Sequence, residues 1–144
     1  MSLEDSILTM ISNYVYYHKE LVDLEERLKE KCFKMTASYG GVGHSTTIVN
    51  QVESYCISRY KLKESIGKYK RKLALCDQLL ELPVLTERER EILIACRDGR
   101  CLLEYSRANG VYKSYVYKIR DRAIKKIAKY VRSKSICVIH TVIN

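Results

Sequence analysis

Ile7, Tyr14, Leu21, Leu28 and Met35 stand seven residues apart, and Met10, Tyr17 and Leu24 fill the second seam position between them. A stripe with that period stays on one side of the chain only if the chain is helical. Residues from about Leu3 to Met35 are therefore expected as one long helix that buries one face. The pattern returns from about Thr47 to Leu80. Val52, Ile66, Leu73 and Leu80 mark one seam position there, and Tyr55, Leu62, Tyr69 and Cys76 mark the other, with Arg59 the one misfit. Helices of about 30 residues are roughly 45–50 Å long. Folded back on each other they make an antiparallel hairpin. Such a hairpin hides one seam per helix, so Val15, Tyr16, Phe33 and Ile57 are left over. A second copy of the chain is the simplest partner for them, with a dimer favoured.

Between the two stripes lies TASYGGVGHSTT, residues 36–47. Its three glycines invite a phosphate-loop reading, but the Gly-Lys-Ser/Thr ending is missing and no strand precedes it. A flexible connection between helices is the better account, and His44 has no partner that would give it catalytic work. The cluster Lys68, Lys70, Arg71 and Lys72 reads as a solvated face, with a phosphate contact as the alternative. Pro83 blocks continuation of the second helix and biases the residue before it toward an extended form. A domain boundary is expected there, giving a helical hairpin over 1–82.

The next stretch is built differently. Thr86 followed by Glu89 is a capping box, so a helix should begin at that point. Ile92, Leu93, Ala95 and Cys96 recur at helical spacing. Asp98-Gly99 closes this helix, because glycine enters the left-handed region without a steric penalty. A short second helix is expected over about Leu102–Ala108, ended by Asn109-Gly110, and a third from about Lys113 toward Arg132. Two helices meeting at a glycine turn, the second of them basic, have the outline of a helix-turn-helix.

Charge supports that outline. Ten Lys and Arg residues lie between Arg107 and Lys134 against one acid, Asp121. The resulting +9 equals the net charge of the whole chain, so the remainder is neutral. Charge gathered on one helix is the electrostatic footprint of a phosphate binder.

The features Leu85-Thr86-Glu87-Arg88-Glu89-Arg90, Asp98-Gly99 and Gly110-Val111, with Val116, Ile119, Ala123, Ile124 and Ile127 at inward positions, resemble region 4 of bacterial sigma factors. That region is a promoter-reading helix-turn-helix. The whole chain resembles phage regulators of late transcription of the ArpU/RinA type. These join a helical N-terminal part to a sigma-like helix-turn-helix. The resemblance covers about 45 residues with some specificity and the rest only in general outline. Ser106 departs from it, since alanine is usual where the second helix meets the recognition helix.

In a helix-turn-helix the first turns of the recognition helix enter the major groove. Val111, Val116, Ile119 and Ala123 should face inward. Tyr112, Lys113, Ser114, Tyr117 and Lys118 are left for DNA, with Tyr115 toward the rim and Arg122 further along. Lys113 and Lys118 suit guanine O6/N7 or phosphate, Ser114 takes a donor or an acceptor, and the tyrosines offer a hydroxyl and an edge for a thymine methyl. Arg100 and Arg107 flank the motif as backbone clamps. Lys125, Lys126 and Lys129 read as contacts to phosphate or to RNA polymerase. The resemblance itself implies base contacts at Lys113, Ser114, Tyr117 and Lys118.

One proline and six glycines favour few, long helices, so the expected class is all-α. The domains expected are a hairpin over 1–82, a helix-turn-helix over 83–132 and a tail over 133–144. The tail is rich in β-branched residues and has strand propensity. An isolated strand is not stable, so pairing with another subunit, packing on the helices or disorder stay open for it. No apolar run reaches 18 residues, so no membrane span is expected. The N-terminus lacks a secretory pattern. The six cysteines and three histidines show no metal-ligand spacing, so no metal and no cofactor is expected. Buried thiols fit a reducing cytoplasm. Nothing resembles a nucleophile–base set or a paired-carboxylate cleft, so an enzyme is the weakest class. The leading expectation is a sequence-specific regulator of transcription on double-stranded DNA. A small terminase-like packaging subunit and a coiled-coil adaptor without DNA are the alternatives. A true sigma factor fits less well, because residues 1–80 hold no tryptophan and one phenylalanine.

Overall fold

The computed structural model describes residues 2–38 and 45–134, and side chains over that span except those of 32–49. The loop expected at 36–47, with His44, and the tail of strand propensity fall wholly or mostly outside the described residues. The described residues are all-α: α1 Leu3–Ser12, α2 Tyr14–Ser38, α3 Ser45–Leu80, α4 Glu87–Arg97, α5 Leu102–Asn109 and α6 Lys113–Ser133. No helix among the described residues is long and apolar enough to cross a membrane.

The first long helix is in fact two. Ser2 caps α1, its hydroxyl accepting the Asp5 N–H at 3.1 Å. Asn13 then leaves helical geometry at φ −94°, ψ 8°. The Asn13 N–H still reaches the Thr9 carbonyl at 3.0 Å, and the Tyr17 N–H reaches the Asn13 carbonyl at 2.9 Å. The break is thus one residue wide. Ser12 and Asn13 favour it because short polar side chains compete for backbone hydrogen bonds.

By internal contacts the described residues up to Tyr17, with those from Arg71 onward, form one compact unit, and His18–Lys70 form the other. This partition differs from the 1–82 and 83–132 division expected from sequence. The reason is burial. Leu3, Ile7, Met10 and Ile11 of α1 and Cys76, Leu79 and Leu80 of α3 share one core with Leu93, Ala123, Ile124, Ile127, Ala128 and Val131. Without α1, the apolar face made by Leu93 and Ile127 would meet water. Polar contacts fasten the same unit. Arg90 donates to the carbonyls of Leu80 at 2.9 Å and Leu82 at 3.2 Å, so α4 itself closes the end of α3. The Arg97 guanidinium lies 5.2 Å from the centre of the Tyr14 ring and 3.8 Å from the Asp77 carboxylate. Glu4 pairs with Arg132 at 3.2 Å. Burial pushes the Cys76 thiol up to about 12, which keeps it a neutral small hydrophobe.

In the second unit α2 and α3 are joined by the ion pair Glu25–Lys70 at 3.5 Å. Leu24 and Ile66 are buried, while Leu21, Leu28, Val52, Tyr55, Leu62 and Tyr69 are half-buried and Arg59 is exposed. The seam positions thus point inward to differing degrees. Val22, Ile57 and Tyr60 remain exposed.

Candidate nucleic-acid interface

α4 begins as its residues dictate. The Thr86 hydroxyl accepts the Glu89 N–H at 3.3 Å, and the Glu89 carboxylate accepts the Thr86 N–H at 3.1 Å. Gly99 and Gly110 take φ 72° and 65°, the left-handed values that end α4 and α5. Three residues, Gly110 to Tyr112, then separate α5 from α6. α6 packs on α4 and α5 through Val116 and Ile119, which meet Ile92, Ala95 and Leu102. Val111 and Tyr105 are half-buried against the same cluster. Ser106, buried in this contact, donates its hydroxyl to the Leu103 carbonyl at 2.7 Å. A satisfied hydroxyl costs little when buried, so serine serves in the close contact between α5 and α6.

With Val116 and Ile119 turned inward, the opposite face of α6 is open. Tyr112 is 86% exposed, Tyr115 43%, and Lys113, Ser114, Lys118 and Arg122 are exposed as well. At 100° per residue these side chains fall on two stripes. Ser114, Lys118 and Arg122 share the outermost one, while Tyr115, about 40° from the inward Ile119, stands at its rim. Lys113, Tyr117 and Arg120 form the flank. The Tyr117 ring is half-buried and has the Lys113 ammonium 5.7 Å and the Arg120 guanidinium 4.8 Å from its centre. A ring engaged by two cations holds them in place. Tyr117 is therefore better suited to positioning Lys113 than to meeting a base itself.

The flanking arginines stand outside α6. Arg107 is exposed in the last turn of α5. Arg100 sits in the short link between α4 and α5, its N–H held by the Ala95 carbonyl at 2.9 Å. It lines an α4–α5 groove of about 460 Å³ with Glu91, Cys101, Glu104 and Tyr105, to which α6 contributes nothing. Tyr105 donates its hydroxyl to Glu91 at 3.0 Å. Burial, and then the Glu91 carboxylate beside it, hold the Tyr105 phenol above its ordinary range.

The ten cations counted along the sequence are not equivalent. Lys126, read from sequence as a phosphate or polymerase contact, is half-buried and paired with an acid of α4. Its ammonium is 2.9 Å from the carboxylate of Glu89, a side chain only 4% exposed. Arg120 is paired with Asp121 at 3.0 Å and Arg132 with Glu4. Among the described residues Lys118, Arg122, Lys125 and Lys129 have no carboxylate partner. The Glu89–Lys126 pair escaped the sequence reading because its members lie 37 residues apart. The common face of Ser114, Lys118 and Arg122 was available from their four-residue spacing. Compared with known protein families, with curated proteins and with solved structures, the chain matches none of them.

Proposed function

We propose that this chain is a sequence-specific regulator of transcription that binds double-stranded DNA, of the phage or prophage type that its sequence resembles. In this reading α5 and α6 are the two members of a helix-turn-helix, and α6 enters the major groove by its first turns. One observation carries it. Tyr112, Lys113, Ser114, Tyr115 and Lys118 stand open to solvent on a helix whose Val116 and Ala123 are 0% exposed. A helix anchored on one side with donors, acceptors and apolar edges on the other has what groove reading requires. Arg107 and Arg100 serve as clamps on the DNA backbone. The antiparallel pairing of α2 with α3 supplies a self-association surface, supported by the exposed Val22, Ile57 and Tyr60. RNA polymerase is a second candidate partner, and the cytoplasm is the compartment where these partners are found.

The test is selection of genomic fragments by the purified protein at about 150 mM salt, near physiological ionic strength, followed by sequencing. A recovered motif upstream of a block of genes is the expected result, and two half-sites about one helical turn apart would report a dimer. Enrichment only beside a packaging gene would move the assignment to a terminase-like subunit. Recovery no better than random DNA would leave a basic helical adaptor and remove the assignments on α6.

A further inference from the structure

Lys118, Arg122, Lys125 and Lys129 follow one another at intervals of four, three and four residues. On a helix of 3.6 residues per turn they fall within about 60° of arc and extend about 16 Å along the axis. All four are exposed. The cations off this line are mostly spoken for: Arg120 by Asp121, Lys126 by Glu89 and Arg132 by Glu4. Asp121, the one acid of α6, has its carboxylate turned to Arg120 at 3.0 Å. Apart from Lys113, which lies over the Tyr117 ring, the cations of α6 without an acid partner thus fall along one line.

We infer that this line is a phosphate track, in which Lys125 and Lys129 bind the sugar-phosphate backbone of duplex DNA beyond the base-reading turns. The inference rests on the proposed entry of α6 into the major groove. That groove is about 12 Å wide. A helix entering by its N-terminus carries Lys125 about 10 Å and Lys129 about 16 Å past Lys118, out to the groove wall where phosphates line up. Duplex DNA presents one phosphate charge per about 1.7 Å of axis, so each cation finds a counter-charge without any fixed register. An anionic membrane surface is the competing ligand for a basic helix. Such helices bind by immersing an apolar face. The apolar face of α6, with Val116, Ile119, Ala123, Ile127 and Val131, is already buried in the protein. The stripe is left as a purely electrostatic surface.

The experiment measures affinity of the full chain for a duplex carrying the selected site and for a scrambled duplex, across a salt series. The variants are Lys125→Gln/Lys129→Gln and, as an equal change of charge on α3, Lys61→Gln/Lys63→Gln. Each phosphate contact adds about 0.9 to the slope of log affinity against log salt. The first variant should lose about 1.8 from the slope on both duplexes and keep the ratio of their affinities. The second should keep the wild-type slope. An unchanged slope in the first variant, a loss confined to the selected duplex, or an equal loss in the second would each overturn the track. Binding to phosphatidylglycerol vesicles that requires Lys125 and Lys129, with DNA binding indifferent to them, would also overturn it. A wild-type chain that selects a motif yet shows any of these results sinks the track alone. A wild-type chain that binds neither duplex sinks the proposed function with it.

Discussion

The two compact units use one sequence device with different results. In both, apolar residues repeat at helical spacing. In the unit holding α4, α5 and α6 that spacing yields Ile7, Ile11, Ile92, Leu93 and Ile127 at 0% exposure. In the 18–70 unit the same kind of stripe leaves Leu21, Leu28, Leu62 and Tyr69 half-buried. The difference lies in how many neighbours each helix has. α6 is met by α1, α4 and α5, so more than one of its faces is shielded. A pair of helices shields only the seam between them. An apolar heptad therefore states that a face seeks cover, and the arrangement of other elements decides how fully it is covered.

Substitutions sharpen this contrast, and the largest effect is expected where burial is complete. Ile127→Ala, in the core of the first unit, should cost about 2–5 kcal/mol in urea unfolding, the range for emptying a packed aliphatic site. A loss below about 1 kcal/mol would mean that this core is loosely packed. Glu89→Ala comes next, because it removes both the reciprocal cap to Thr86 and the partner of Lys126. A loss of about 1.5–3 kcal/mol is expected from charged hydrogen bonds of this kind. Glu89→Gln, which can still accept from the Thr86 N–H, should lie between that variant and the wild type. Equal values for the two would assign the whole effect to the ion pair. The smallest effect on folding belongs to the 18–70 unit. Ile57→Ser/Tyr60→Ser should shift unfolding by no more than about 0.5 kcal/mol per site where the chain is monomeric. Sedimentation equilibrium should at the same time show weaker self-association. An unchanged association constant would remove this surface from the proposed oligomer.

The limits of sequence reading follow the range of the interactions involved. The Thr86–Glu89 box, the turns at Gly99 and Gly110 and the start of α6 at Lys113 were legible because capping and left-handed glycines act within a few residues. The break at Asn13 was not, since the seven-residue repeat runs straight through it. For the candidate site, the exposure of Tyr112, Lys113, Ser114 and Lys118 follows from the inward spacing of Val116, Ile119 and Ala123. The engagement of Tyr117 by Lys113 and Arg120 depends on side-chain direction along the helix, which spacing permits without requiring.

By itself, then, the sequence determined that the chain is helical, where its last three helices begin and end, and that its positive charge gathers on the last of them. These are consequences of local backbone preference and composition. Tertiary structure alone decided that α1 belongs to the core of α4–α6, and that Lys126 and Arg132 are paired with acids. Both depend on partners brought together from distant parts of the chain: Glu4 with Arg132, Glu89 with Lys126, Leu3 and Ile7 with the core around Ile127. A residue's own neighbours in sequence carry no record of such a meeting, because burial and charge pairing are set by what lies nearby in space.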